Sequence, residues 1–252
     1  MKISVITAVH NRADTIADAV TSLQAQSYAS FEHLVVDGGS TDGTLEVLAR
    51  IEDPRMSVIS EPDEGIYDAI NKGLAAASGE VIGLMHADDV YASPQVLENV
   101  AGALANPDIE AVYGDLEYVS ARDPDRIIRH WRASEFAPGK LRRGWMPPHP
   151  TLYVRRSVID RWGGYDTSYR IAADYDAVLR WFGQGQVRAA YIPEVLVRMR
   201  MGGESNRSLG NIVRKSREDY RALKTNRVGG LGTLALKNLG KMRQFLVKRP
   251  CS

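Results

Sequence analysis

The sequence has almost no cysteine and no long apolar run, and these absences exclude several classes of protein. Its 252 residues contain a single cysteine, Cys251, so an intramolecular disulfide and a thiolate metal cluster are excluded. No segment reaches the ~18 consecutive apolar residues of a membrane-spanning helix. Met1-Lys2 leads directly into a strand-like segment rather than a signal peptide. We therefore expect a cytoplasmic protein.

Two common nucleotide-binding motifs are absent as well. No G-x-G-x-x-G sequence follows the first predicted strand, so the chain carries no dinucleotide fingerprint. The P-loop lysine motif is also missing. A nucleotide site in this chain must therefore be built from other residues.

The formal net charge of +1 hides a strong asymmetry. Residues 207–252 carry a net charge of +10, whereas the remaining 206 residues carry −9. Apolar residues interleave with the basic ones in this tail, a pattern that suits helices lying on an anionic membrane. Charged, solvated helices packed on the domain are the alternative. Nucleic acid is not expected as a partner because no aromatic stacking platform accompanies the charge.

Apolar runs alternate with helical patterns over the first 120 residues, which is typical of βαβ units and a parallel sheet. The helices are expected to begin near Ile16, Leu45, Ile66 and Pro94, the last capped by Ser93. The predicted strands of this half are Ile3–Val9, His33–Val36, Met56–Ser60, Val81–Met85 and Ala111–Val119.

The pattern is more mixed from about residue 123 onwards. A helix is predicted from Asp174 to Phe182, and a shorter one closes at Gly163. Val187–Ile192 and Val195–Met201 are expected to pair as two strands across Pro193-Glu194. Further strands are predicted over Ile127–Trp131 and Thr151–Val154.

Adjacent carboxylates end the apolar strand that precedes them. Asp88 and Asp89 follow Val81–Met85, and open α/β sheets hold ligands at the carboxyl ends of their strands. Paired carboxylates suit a divalent cation that carries a diphosphate. The loops at Asn11 and Asp37 follow other strands and should open on the same edge. Each motif alone also fits a turn or a helix cap.

Four segments place polar and glycine residues after predicted strands. In this order and spacing they resemble the family 2 glycosyltransferases of the GT-A fold, in particular those that make bacterial surface polysaccharides, over roughly residues 1 to 205. The segments are Val5-Ile-Thr-Ala-Val-His-Asn11, Val35-Val-Asp-Gly-Gly-Ser-Thr-Asp-Gly-Thr44, Asp63-Glu-Gly-Ile-Tyr-Asp-Ala-Ile-Asn-Lys-Gly73 and His86-Ala-Asp-Asp89.

The resemblance implies an α/β fold with a GT-A-like, doubly wound, mostly parallel sheet flanked by helices, followed by basic C-terminal helices. Residues 1–120 would form the nucleotide-sugar-binding half of one domain, and 121–206 its acceptor-binding half. Residues 207–252 would form a basic helical tail.

The resemblance also implies roles for individual residues. Asp88 and Asp89 would hold Mn²⁺ or Mg²⁺, and Asp88 would also contact the donor. Many relatives have Asp or Asn where this chain has His86, and because Mg²⁺ takes imidazole poorly the cation preference is open. The other expected donor contacts are Thr7, Val9, Asn11, Asp37, which would read the base, and Lys72, near the phosphates.

The general base implied by the resemblance is Asp174, which follows the segment Gly163-Gly-Tyr-Asp166. An acceptor hydroxyl needs such a carboxylate to take its proton as the new bond forms. Asp176 is the alternative base, and it would face another direction on a helix. Further contacts to acceptor or donor are expected from His149, Tyr67 and Ser205.

These observations predict an inverting glycosyltransferase that moves a sugar from a nucleotide-diphosphate donor, with a UDP-sugar favoured, to a glycan or lipid-linked glycan. Its product would belong to cell-surface polysaccharide or glycolipid synthesis, and the enzyme could sit peripherally on the cytoplasmic face of the membrane. A sugar-1-phosphate nucleotidyltransferase is the nearest alternative, but it normally opens with a glycine-rich basic loop that His10-Asn11-Arg12-Ala13 lacks. A non-catalytic nucleotide- or carbohydrate-binding protein is the alternative of a different class.

Overall fold

The computed structural model describes residues 1–121, 123, 125–201 and 209–243. Strands run over Ile3–Val9 (β1), Phe31–Asp37 (β2), Met56–Ser60 (β3), Val81–Leu84 (β4), Val90–Tyr91 (β5), Ala111–Val119 (β6), Ile127–Trp131 (β7), Tyr153–Arg155 (β8) and Ala189–Arg200 (β9). Helices run over Ile16–Gln24 (α1), Thr44–Leu48 (α2), Ile66–Ala76 (α3), Val96–Ala103 (α4), Pro138–Leu141 (α5), Arg156–Trp162 (α6), Ala173–Val178 (α7), Leu209–Thr225 (α8) and Leu231–Arg243 (α9).

One curled sheet organises the domain, in the order β3-β2-β1-β4-β8-β6-β9-β5, with β7 paired to β6. Strands β3, β2, β1 and β4 are parallel to one another. Strand β8 is antiparallel to its neighbours β4 and β6, and β6 and β9 are parallel to each other. Val9 lies opposite Asp37, which lies opposite Ser60. The loops after these strands therefore open on one edge, together with the loop after β4, as the sequence predicts.

Helices cover both faces of this sheet because its central strands carry apolar residues on both sides. Successive residues of a strand point to opposite faces, so Val5 packs in the cluster of Leu23 from α1, whereas Ile6 packs in that of Ile70 from α3. The predicted α/β architecture with a mostly parallel sheet flanked by helices is confirmed.

The expected strand pair at Pro193-Glu194 is wrong. The chain runs on as the single strand β9, and its register against β6 slips so that Ile192 lies opposite Gly114 and Val195 opposite Asp115. Pro193 and Glu194 form an irregularity instead of a turn. A Cβ on Gly114 would lie 2.5 Å from Leu196 Cγ and 2.8 Å from the Glu194 carbonyl oxygen, so the missing side chain of Gly114 admits this close approach.

Other predicted boundaries also differ from the structure, including those of β2 and β4, which were predicted as His33–Val36 and Val81–Met85. Helix α4 begins at Val96 rather than at Pro94. Residues His149–Thr151 form a short 3₁₀ turn before β8, so that strand starts later than predicted. Helix α7 begins at Ala173 and passes into a π-helical segment, Leu179–Gln184, instead of continuing as a regular helix.

The basic C-terminal helices pack on the domain over the described residues 209–243. Ala222 and Leu223 of α8 are fully buried in the core. The side chain of Asn226 donates to Asp176 Oδ1 of α7 at 2.8 Å. The described part of the expected tail is therefore an integral layer over α7. None of the described helices is long and apolar enough to cross a bilayer.

Candidate active site

Asp37 ends β2 and organises the glycine-rich loop that follows it. Its Oδ2 accepts hydrogen bonds from the N–H groups of Gly39 and Ser40, both at 3.1 Å, and from the hydroxyl of Ser60 at 2.8 Å. Burial would raise the pKa of Asp37, but these donors bring it below 3.8. The carboxylate is therefore ionised. Its side chain is fully buried, and its Oδ1 lies 3.4 Å from the backbone nitrogen of Ser40.

The end of β1 is tied to the same loop. Asn11 adopts a left-handed φ of 52°, which asparagine tolerates better than most residues. Its backbone N–H donates to Ser40 Oγ at 2.8 Å, and its Oδ1 accepts from Thr41 N–H at 2.9 Å. The two predicted nucleoside loops thus form one unit.

Two other predicted donor contacts, Thr7 and Val9, have buried side chains. The Thr7 hydroxyl lies 2.9 Å from His33 Nε2 and is fully buried. Val9 is 4% exposed and packs in an apolar cluster, while its carbonyl accepts from Gly38 N–H at 2.9 Å. The side chains of these two residues serve the fold, so a donor contact from this stretch falls to Asn11 or to the backbone.

The acidic turn after β3 lies against the Asp37 loop. A Cβ on Gly38 would stand 2.2 Å from Asp63 Oδ2, so any side chain at this position would displace that carboxylate. Lys72 reaches the same turn from α3. Its Nζ donates to the Pro62 carbonyl at 2.8 Å and forms an ion pair with Glu61 at 3.0 Å. Lys72 therefore lies next to the nucleoside loops, and Asp63 is a site residue to which the sequence reasoning assigned no role.

The structure separates the adjacent carboxylates after β4. Asp88 is half-buried, whereas Asp89 is fully buried and its Oδ1 accepts from Arg200 N–H at 3.2 Å. Burial and the negative charge of Asp88 raise the pKa of Asp89 well above 3.8. This differs from the expectation of two metal-binding carboxylates, because Asp89 faces the interior and anchors β9.

Asp174, the predicted general base, lies with Asp88 and two histidines. Burial lowers the pKa of His86, and the negative charges of Asp88 and Asp174 oppose that shift. Burial lowers the pKa of His149 to about 4, again against the charge of Asp174. The four side chains come from the end of β4, the turn before β8 and the start of α7. The fold therefore brings the predicted base and the predicted cation ligand within electrostatic range of the same imidazole, that of His86.

Aromatic hydroxyls surround this group. Tyr67 donates to the Ile171 carbonyl at 2.7 Å, and its oxygen lies 3.4 Å from Asp174 Oδ1. Tyr165 OH is hydrogen-bonded to His149 Nε2 at 3.0 Å. Tyr67 therefore contacts Asp174 directly, and His149 lies within electrostatic range of it. These positions agree with the predicted contacts of both residues to acceptor or donor.

The charge of Asp174 is stabilised from the C-terminal helices. Burial would raise its pKa, but the charges of His149, Lys215 and Lys237 and the N–H of Tyr175, at 2.7 Å, bring it below 3.8. Because His149 is neutral above about pH 4, the two lysines supply this effect at neutral pH. A half-buried, ionised carboxylate of this kind can accept a proton.

The alternative base, Asp176, is engaged elsewhere. It is 4% exposed, pairs with Arg180 Nη2 at 3.1 Å and accepts from Asn226 Nδ2 at 2.8 Å. These contacts hold α7 against α8 and leave Asp174 as the carboxylate that faces the site. Ser205, the remaining predicted contact, lies outside the described residues.

Among the described residues, no group of three or more His, Cys, Asp or Glu side chains is placed to hold a metal ion. Asp88 and His86 nevertheless offer one carboxylate and one imidazole, both half-buried at the edge of the sheet. Cations that carry a diphosphate take one or two protein carboxylates and complete their shell with phosphate oxygens and water. The donor set present fits a diphosphate-bound cation, with His86 favouring Mn²⁺ over Mg²⁺.

The sheet, its edge loops and the convergent carboxylates define a GT-A type of α/β fold. The family model described as Glycosyl transferase family 2 matches residues 4–161, and the chain belongs to this family. The resemblance drawn from the four sequence segments is thereby confirmed.

Two mycobacterial proteins are among the relatives of this chain. An uncharacterized glycosyltransferase of Mycobacterium tuberculosis is 33% identical over 183 residues, covering 71% of this chain and 68% of that protein. A PGL/p-HBAD biosynthesis glycosyltransferase of Mycobacterium bovis is 29% identical over 216 residues, covering 81% of this chain and 78% of that protein.

Solved structures share the fold at low sequence identity. A mannosyltransferase from Pyrobaculum calidifontis, in complex with GDP-Man and Mn²⁺, has a TM-score of 0.68 at 22% identity and covers 94% of this chain and 68% of that one. TarS 1-349 of S. aureus, in complex with UDP-GlcNAc, has a TM-score of 0.67 at 18% identity, with 90% and 66% covered.

Proposed function

We propose that this protein is an inverting, divalent-cation-dependent glycosyltransferase that moves a sugar from a nucleoside-diphosphate donor to a hydroxyl acceptor. The observation that carries the proposal is the convergence of Asp174 with Asp88, His86 and His149 at the edge where the nucleoside loops open. Family membership and the nucleotide-sugar complexes of the two solved structures support it.

The proposed step is one displacement at the anomeric carbon. Asp174 takes the proton of the acceptor hydroxyl while that oxygen bonds to the sugar and the bond to the diphosphate breaks. Asp88, with His86, would hold the divalent cation, which supplies charge stabilisation to the departing diphosphate. A single displacement inverts the configuration at the anomeric carbon, and no nucleophile of the protein is required.

The donor proposed is a UDP-sugar, held by the joined loops of Asn11 and Asp37. Asp37 is the carboxylate proposed to read the base, and Lys72 lies beside these loops. The TarS structures, which hold UDP or UDP-GlcNAc, support this donor class, and the GDP-Man complex marks GDP as the competing nucleotide.

The product is proposed to belong to a cell-surface polysaccharide or glycolipid, with the enzyme peripheral on the cytoplasmic face of the membrane. Leu231 and Leu239 of α9 are 70% and 57% exposed, within the basic region of the chain, and this combination suits an anionic bilayer. The double variant Leu231→Ser/Leu239→Ser should bind phosphatidylglycerol liposomes more weakly than the wild type. Val58→Ser, which removes an exposed valine on β3, is the matched control, and equal binding by all three proteins would refute membrane association.

The catalytic proposal is tested with Asp174→Asn. Transfer should fall by about 10²–10⁴-fold, the usual contribution of general base catalysis, while UDP still raises the melting temperature in the presence of Mn²⁺. Asp160→Asn changes an exposed aspartate on α6 and should keep wild-type transfer. A protein that binds UDP but transfers no sugar from any donor would support the binding-protein alternative. Pyrophosphate release from UTP and a sugar 1-phosphate would support the nucleotidyltransferase.

A further inference from the structure

A cavity of about 230 Å³ lies between the end of β7, the segment 143–146 and helix α9. Helix α9 forms one wall by direct backbone contact, since a Cβ on Gly144 would lie 2.6 Å from Lys237 Cα and 2.5 Å from its Cβ. Gly144 also has a left-handed φ of 77°, which favours glycine. The lining side chains that bear on its chemistry are Trp131, Arg132, Arg143, Trp145, Leu236 and Lys237.

This cavity adjoins the proposed reaction centre. Gly83 of β4 and Val112 of β6 both lie opposite Tyr153 of β8, to which both strands are antiparallel, so β4 and β6 run in the same direction. Trp131, at the end of β7, lies opposite Leu116, four residues past Val112, and is therefore near the level of Asp88, five residues past Gly83. His149 follows the cavity residue Met146 by three positions. On the opposite wall, Lys237 Nζ lies 3.1 Å from the centroid of the Tyr175 ring, which is next to Asp174 in the chain. A molecule in the cavity would therefore extend toward the general base.

The lining combines aromatic rings with positive charge. Trp131 and Trp145 are half-buried. Trp145 is held by an edge contact to Tyr113 and a tilted contact to Phe136, with ring centroids 5.6 Å and 5.3 Å apart. Arg132 and Arg143 are exposed at the rim, and no lining residue within the described part of the chain is acidic. Rigid aromatic surfaces accept the apolar faces of sugar rings, and guanidinium groups bind phosphate or carboxylate oxygens in a bidentate manner.

We propose that this cavity is an acceptor subsite for a saccharide that carries an anionic group, either the diphosphate of a lipid-linked sugar or the carboxylate or phosphate of a charged glycan. The inference rests on the proposed glycosyltransferase function and adds the chemical class of its acceptor. The volume is below the ~300–1,000 Å³ of most small-molecule pockets, so the cavity holds one sugar unit and its charge, and the remainder of the acceptor lies outside.

The binding test uses N-acetylglucosamine 1-phosphate as the probe, with UDP and Mn²⁺ saturating the donor site. Calorimetry should show binding to the wild type and about tenfold weaker binding to Arg143→Ala, the loss expected for one hydrogen bond to a charged group. Arg142→Ala removes a neighbouring exposed arginine that does not line the cavity, and it should bind like the wild type. Trp131→Phe should weaken binding of both the phosphate and neutral N-acetylglucosamine, because the ring supports the sugar rather than the charge.

A transfer assay separates the two sources of the anionic group. A polyprenyl-diphosphate-linked sugar and a glucuronate-containing disaccharide are compared as acceptors, and the KM of the true acceptor should rise about tenfold in Arg143→Ala. Equal effects of Arg142→Ala and Arg143→Ala, or unchanged binding in Arg143→Ala and Trp131→Phe, would overturn the subsite. UDP binding and slow hydrolysis of the donor by the wild type report on the proposed function separately, so loss of those signals identifies a failure of that proposal instead.

Discussion

Glu218 of α8 accepts a hydrogen bond from the backbone N–H of Ala172 at 3.0 Å, across 46 positions of the chain. The same carboxylate accepts from the N–H groups of Ile171 at 2.8 Å and Arg170 at 3.2 Å. These are the residues that lead into α7, whose second residue is Asp174. Backbone N–H groups before and within a first helical turn lack partners in the helix itself, and here the C-terminal helix supplies them.

Glu218→Ala should therefore impair catalysis more than donor binding. Loss of the acceptor leaves three backbone donors without their partner, at about 1–3 kcal/mol for a buried unsatisfied group, and frees the turn that positions Asp174. We expect kcat to fall by roughly tenfold or more, as small displacements of a reacting group cost up to ~10²-fold, with the KM of the donor little changed. Glu218→Gln keeps one acceptor oxygen and should restore part of kcat, whereas Arg217→Ala, on the exposed side of α8, should match the wild type. An equal loss of donor affinity in Glu218→Ala would contradict a positioning role.

The adjacent residues Asp88 and Asp89 should respond differently to substitution. Asp88→Ala is expected to abolish the additional stabilisation that Mn²⁺ gives to the UDP complex, because Asp88 is the half-buried carboxylate. Asp89→Asn should keep it, since Asp89 is fully buried and its Oδ1 accepts from Arg200 N–H, a bond that an amide oxygen can also accept. The melting temperature of each variant is measured with UDP, once with Mn²⁺ and once without it. A ligand at a hundred times its dissociation constant stabilises the folded state by about 2.7 kcal/mol, which sets the size of the effect to be detected. Loss of the Mn²⁺ effect in both variants would place Asp89 at the cation after all.

His86 should determine which cation the site prefers. An imidazole suits Mn²⁺, whereas Mg²⁺ takes oxygen ligands, so His86→Asp should raise the affinity for Mg²⁺ relative to Mn²⁺. Calorimetric titration of each cation into the UDP complex gives the ratio without any activity measurement. A ratio that does not change in His86→Asp would show that His86 lies outside the coordination shell.

Stability should fall as the pH decreases from about 6.5 to 4. Burial lowers the pKa of His33 from 6.5 to about 4 in the folded protein, so the unfolded chain binds a proton that the folded state does not. The contribution is fully present above pH 6.5 and is lost as the pH falls through the folded pKa, to a total of roughly 3 kcal/mol. His33→Gln removes this titration and should flatten the dependence of unfolding free energy on pH, whereas exposed His10→Gln should not. An unaltered slope in His33→Gln would mean that His33 is protonated in the folded state.

Much of the fold was predictable because its signals are local. The strands Ile3–Val9, Met56–Ser60 and Ala111–Val119 have the predicted bounds. In the first and third, the apolar run between polar turns reflects burial on both faces of the sheet. Where prediction failed, a distant contact was decisive. Pro193-Glu194 has the composition of a turn, yet β6 holds both flanking segments in one strand because Gly114 leaves room for them.

The sequence alone determined the family, the parallel arrangement of the donor half and the edge at which Asn11, Asp37 and Asp88 meet. These features follow from the alternation of strands and helices along the chain and from the composition of short loops, both of which are local properties. Only the tertiary structure decided that Asp88 faces the site while Asp89 is buried, since adjacent residues of a turn point in different directions. It alone brought Glu218 onto the start of α7 and Lys237 beside Tyr175. Those contacts join segments far apart in the chain, and no local pattern encodes which helix covers which.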